Sequence, residues 1–105
     1  MRGTVPKLYE YFGLIVLFYS NEHEPVHVHG MHQGHESKAE LRVRNGSVVG
    51  IRFGDVKGRR PLTGTKMADF RRLVRQHAND IVQKWIEYFV LHQEVAPVVI
   101  SRKLK

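Results

Sequence analysis

Five of the seven histidines in this chain, His23, His27, His29, His32 and His35, lie within one short stretch. His27 and His29 are separated by a single residue in Val26-His27-Val28-His29. On an extended strand that spacing turns both imidazoles to one face and both valines to the other. Two imidazoles on one face, joined by His23 or by Glu22, Glu24 or His32, make a nitrogen and oxygen donor set suited to zinc, nickel or copper. The same pair could instead divide acid–base work. Histidine titrates near neutral pH, so one ring can take a proton while the other gives one, as metal-free RNA cleavage requires. Such a step also needs a cation beside the phosphorane-like transition state, and Arg42 or Arg44 on the following hairpin would supply it. A third reading makes His27 and His29 hydrogen-bonded surface residues that orient a turn at Asn21 to Pro25. Metal centre, hydrolase and structural strand all remain open at this point.

Cationic residues gather a second time. Lys57, Arg59 and Arg60 sit in a glycine-flanked stretch that reads as a mobile loop, and Lys66, Arg71, Arg72 and Arg75 follow it. Together they would form a surface for phosphate contacts. The alternative is a solvated helix face with Asp69 and Asp80 interspersed. No RNA-recognition, KH or helix-turn-helix pattern is present, and no glycine loop of the phosphate-cradling kind.

The elements that must position these groups can be read from periodicity. Leu14 to Ser20 is rich in β-branched and aromatic residues and apolar on both faces, as a strand covered on both sides would be. Ala39, Leu41 and Val43 alternate with charged residues, and Val49, Ile51 and Phe53 do the same on the return, which predicts a hairpin with one buried face. A two-residue Asn45-Gly46 turn would set Leu41 opposite Gly50 and mix the faces. A three-residue loop, Arg44-Asn45-Gly46, sets Leu41 opposite Val49 and Ala39 opposite Ile51, and is the expected form. Beyond Thr65, a plausible cap, Met67, Phe70, Val74, Ala78, Ile81, Trp85 and Phe89 recur at helical spacing. Asn79-Asp80 could cap a second helix within that run. Trp85 and Phe89 are expected to pack on the sheet, and Val98-Val99-Ile100 reads as a last strand.

The expected fold is α+β: an antiparallel sheet of four to five strands, about 14–20, 26–30, 37–44, 47–53 and 98–102, in a single domain 1–105. One long kinked helix or two helices, about 66–92, would cover one face. The double-sided first strand then needs another cover, from the C-terminal strand or a second subunit, so a homodimer is expected.

Composition bounds the remaining choices. At 105 residues the chain suits one core without staples. It has no cysteine, which removes disulfides, thiolate metal sites and cysteine nucleophiles together. The apolar run at Phe12 to Tyr19 is too short to span a bilayer and is followed by no cleavage site, so a cytoplasmic protein with no membrane partner is expected. A formal net charge of +7 favours polyanionic partners, RNA or DNA or an acidic protein.

Tyr11-Phe12-Gly13-Leu14-Ile15-Val16, followed by Phe18 to His29 with its His23, Pro25, His27 and His29, resembles the domain-of-unknown-function 4160 family. These are small prokaryotic proteins marked by a glycine-containing first strand and a His-x-Pro-x-His-x-His element. Lys84-Trp85-Ile86 and Ser101-Arg102-Lys103-Leu104 also look like the family. Glu24-Pro25-Val26 stands where many members carry two prolines. The resemblance implies no established activity. It implies one half of a toxin–antitoxin-like gene pair with a small protein partner encoded nearby, and His23, Pro25, His27 and His29 as the positions of interest. The resulting expectation is a binding module for that partner and for nucleic acid, with a histidine-dependent or metal-assisted ribonuclease, or a scaffold subunit, as alternatives.

Overall fold

A computed structural model describes residues 6–19 and 26–104. The order of elements is β1 (Lys7–Tyr11), β2 (Leu14–Leu17), β3 (His27–His32), β4 (His35–Arg44), β5 (Ser47–Asp55), α1 (Gly64–Gln76), α2 (Ala78–Trp85), a single π turn (Ile86–Val90) and β6 (Val98–Ile100). The strands form one sheet in the order β5-β4-β3-β2-β1-β6. The sheet is therefore six-stranded and mixed, where four to five antiparallel strands were expected. The strand added at the front is β1, and β6 pairs parallel to it, with Tyr9 opposite Val98 and Tyr11 opposite Ile100.

Three tight hairpins build most of this sheet, and each turns on a residue followed by glycine. Phe12-Gly13 joins β1 to β2, Gln33-Gly34 joins β3 to β4, and Asn45-Gly46 joins β4 to β5. All six residues have positive φ, between 45° and 88°. This is the two-residue turn whose twist matches that of paired strands, and glycine takes its second position at no steric cost.

The Asn45-Gly46 hairpin corrects the expected three-residue loop. Arg44 pairs with Ser47 and Val43 with Val48, so the turn has two residues. The face conflict that argued against it is removed by a bulge: Val49 is skipped and Arg42 pairs with Gly50. One extra residue restores the register, which sets Leu41 opposite Ile51 and Ala39 opposite Phe53. Val49 is consequently 59% exposed and Val43 40% exposed, although both were expected in the core.

Helices α1 and α2 cover one face of the sheet. Phe70, Leu73 and Val74 of α1 and Ile81 and Trp85 of α2 are buried against Leu14, Val16, Phe18, Val28, Ala39 and Leu41. Gly30 is required here. A β-carbon at that position would lie 2.6 Å from the Phe70 ring, which is itself fully buried. The helical run breaks at His77, where φ is −110°, so two helices abut. Asn79 and Asp80 lie inside α2, and Thr65 lies inside α1, whose N-cap is Thr63. Trp85 and Phe89 do pack over the end of the sheet, Phe89 against both Trp85 and Phe18 with ring centroids 5.1 and 5.6 Å apart.

The C-terminal strand does not cover β2. It lies at the sheet edge beyond β1. Leu14, Val16 and Leu17 are nevertheless buried within one copy of the chain, so β2 itself does not demand a second subunit.

Candidate functional site

Alternation along β3 places His27, His29 and Met31 on the face away from the helices, opposite Gly30 and its contact with Phe70. Register then places Leu17 of β2 beside His29 and Glu36 of β4 beside Met31 on that same face. Glu36 sits diagonally across from His29, and here the site closes. The two side chains meet at 2.9 Å between His29 Nδ1 and Glu36 Oε2, and both are almost wholly buried. The Tyr19 hydroxyl donates to the same carboxylate oxygen at 2.8 Å. Arg59 Nε reaches the other oxygen, Oε1, at 3.3 Å.

A buried carboxylate is costly unless its lone pairs are met by donors and its charge is balanced. Glu36 has a phenol, an imidazole N–H and a guanidinium, so it is the hub that makes this burial tolerable. An acceptor on Nδ1 fixes the tautomer: that nitrogen carries the proton, and in the neutral ring the lone pair is on Nε2. A carboxylate held in this way orients a catalytic base, and it equally orients an imidazole that ligates a metal. Around the hub, Tyr19 packs edge-on to His29 with centroids 4.4 Å apart, and the half-buried His27 ring lies 5.5 Å from that of His29.

The hub also fastens the basic loop. His35 Nδ1 donates to the Pro61 carbonyl at 3.0 Å, the Glu36 N–H donates to the Arg60 carbonyl at 2.7 Å, and the Leu62 N–H donates to Ser37 Oγ at 3.0 Å. Three successive residues of β4 thus strap residues 60–62 to the sheet. The stretch expected to be mobile is pinned where it passes the histidine strand.

The other expected site residues fall as follows. His23, the third metal ligand expected from sequence, lies outside the described residues, as do Glu22, Glu24 and Pro25. Among the described residues no group of three His, Cys, Asp or Glu side chains could hold a metal ion. His32 and His35 face each other across the Gln33-Gly34 turn, and alternation sets them on the face opposite His27 and His29. Arg42 is exposed and lies on β4 four residues beyond Lys38, the partner of His29, which is about 13 Å along the strand. Arg59 brings a cation to this cluster through Glu36, at 3.3 Å.

Of the remaining cations, Lys66 donates to the Phe12 carbonyl at 2.6 Å and clamps the first hairpin turn. Arg71, Arg72 and Arg75 are exposed on α1. The guanidinium groups of Arg71 and Arg75 lie over the Phe53 ring, 5.6 and 5.3 Å from its centroid, and Arg72 is 4.0 Å from Asp69. Lys57 and Arg60 are exposed in the loop. Sequence reasoning missed Glu36 and Tyr19 as site residues, and it placed Arg59 only with the phosphate contacts. The signal for Glu36 was the Gln33-Gly34 turn, which sets the β3–β4 register and with it the diagonal to His29.

The family profile described as Domain of unknown function (DUF4160) matches residues 13–86. The chain belongs to this family. The match includes the histidine strand, Glu36, the strapped loop and both helices, and leaves out β1 and β6. Neither the curated proteins nor the solved structures give a match to the chain. No helix is long and apolar enough to cross a membrane among the described residues.

Proposed function

We propose that the protein is a binding module, one half of a toxin–antitoxin-like pair, that takes an anionic partner on the basic surface made by α1 and the loop before it. The observation that carries this reading is the arginine group of α1. Arg71, Arg72 and Arg75 are exposed, and two of the three guanidinium groups rest on Phe53. Stacking on a ring lowers the entropy lost when a planar cation meets a phosphate or carboxylate. Lys57 and Arg60 add exposed positive charge on the loop that precedes α1, which is fastened to β4, and the net charge of +7 has the right sign.

Fluorescence anisotropy with short RNA and DNA duplexes, read as a function of salt, tests the nucleic-acid form of this reading. Each phosphate contact adds about 0.9 to the slope of log affinity against log salt. Arg71→Ala, Arg72→Ala and Arg75→Ala combined are expected to lower that slope by about 2.7. An unchanged affinity and slope would remove α1 from the binding surface.

A second reading is favoured by one specific contact, Glu36 on His29 Nδ1. A metal-free ribonuclease would use His27 and His29 for proton transfer, with Arg59 as the cation. RNA cleavage that is lost in the His27→Ala, His29→Ala double variant, and that spares DNA of the same sequence, is the expected result of that chemistry. Zinc or nickel in the untagged protein, detected by elemental mass spectrometry and lost in the same variant, would make the element a metal site instead.

A further inference from the structure

The edge of the sheet at β5 carries a second feature, which adjoins that basic surface. β5 pairs with β4 on one side only, and among the described residues no strand lies on its outer side. In an antiparallel pair every second residue turns its N–H and C=O away from the neighbour, so this edge offers backbone donors and acceptors in a row. Beside it runs an open groove of about 430 Å³ between β5 and the corner where α1 meets α2. Val48, Val49, Ile51 and Ala78 give it an apolar lining, while Arg75 and Asn79 stand on its helical side. The bulge exposes Val49 at this groove. Arg71 and Arg72 line the adjoining hollow with Arg75, and Arg52 on β5 is largely exposed.

The geometry points to this groove as the docking site for an extended acidic segment of a protein partner, which adds to the sheet beside β5. Backbone pairing to the edge supplies affinity, and alternate side chains supply specificity, as in other strand-addition complexes. On an added strand one set of side chains falls toward Val48, Val49 and Ala78 and is apolar. The alternate set turns to the opposite face of the sheet, where Arg42 and Arg52 stand, and is therefore Asp or Glu. Sign of charge selects this occupant over a second copy, because two chains of net charge +7 repel. β6, at the opposite edge, is only three residues long and is the poorer template. The inference rests on the anionic-partner reading and narrows it to a protein strand.

The test is a titration of the isotope-labelled protein, followed by amide NMR, with three probes. The first is a synthetic peptide of about eight residues, a typical strand length, alternating valine and glutamate; the second alternates valine and lysine; the third is a short single-stranded RNA. The valine–glutamate peptide is expected to shift the amides of Val48 to Asp55 and to slow their exchange, and the valine–lysine peptide is expected to do neither. Arg52→Glu is expected to weaken the acidic peptide about tenfold or more. Val49→Lys, at an exposed position that keeps the fold, is expected to weaken it as well. If RNA shifts only α1 and loop amides while the acidic peptide leaves β5 unmoved, the groove inference is overturned and the anionic-partner reading stands. If none of the probes binds, both fall.

Discussion

Charge is concentrated in two regions of this molecule, and its surroundings differ completely between them. Around Glu36 the carboxylate and the His29 imidazole are buried, and phenol, imidazole and guanidinium are spent on that one carboxylate. On α1 the arginines face solvent, and what holds them is a phenylalanine ring and a distant aspartate. Inside, the ions fix a structure that they also depend on. Outside, they leave the fold nearly indifferent and remain available to a partner.

The sharpest way to break this contrast is Glu36→Ala. It removes the carboxylate that His29 and Tyr19 share, and should cost about 3–5 kcal/mol of unfolding free energy in urea. Glu36→Gln keeps the shape and one acceptor, and should cost less. Gly30→Ala drives a methyl into Phe70 and should cost about 1–3 kcal/mol by the same measurement, a packing reference against which the polar hub can be ranked. Arg59→Ala should cost less than Glu36→Ala, about 1–2 kcal/mol, because Arg59 is partly exposed while the carboxylate it serves is not. The α1 triple alanine variant should change stability by no more than about 0.5 kcal/mol while changing the salt dependence of binding. A loss of several kcal/mol there would erase the distinction between the two regions.

A smaller effect concerns pH. Burial, then the hydrogen bond to Asp80 and the charge of Asp80, push the Tyr9 phenol well above its ordinary value. The folded state therefore keeps this proton after the unfolded chain has begun to lose it. That contribution to stability is complete below about pH 10 and is lost as pH rises beyond it. Tyr9→Phe should flatten this alkaline decline, and an ultraviolet titration should show a late-titrating phenol in the wild type that is missing from the variant.

How much of this was legible in the residues depends on the range of the signal. The helical stripe from Met67 to Phe89, and the alternation of Ala39, Leu41, Ile51 and Phe53, could be read because local periodicity reports burial. The β1 strand was missed because Phe12-Gly13 was read as part of the apolar run and not as a turn. Asn45-Gly46 was recognised as a turn signal and then set aside, since a bulge at Val49 leaves no mark in composition. His27 and His29 were singled out correctly as neighbours on one face. Glu36 was not, because its place beside them follows from the β3–β4 register, and the Gln33-Gly34 turn that sets that register went unread. The loop carrying Arg59 looked mobile for a similar reason: its glycines are local, whereas the three bonds that fasten it come from β4.

The parallel seam between β1 and β6 has a kinetic meaning as well. Each of the three antiparallel hairpins joins neighbours in sequence and can form in about 1–10 μs. The seam joins Tyr9 to Val98 and closes a loop that contains nearly all the other elements. Entropy must be surrendered for that closure before any contact across it returns a gain. Assembly therefore runs from the hairpins outward, with the helices laid on them, and the seam zips last. In the reverse direction it is the first stitch to open, so hydrogen exchange at β6 should report fluctuations that leave the histidine strand and its carboxylate closed.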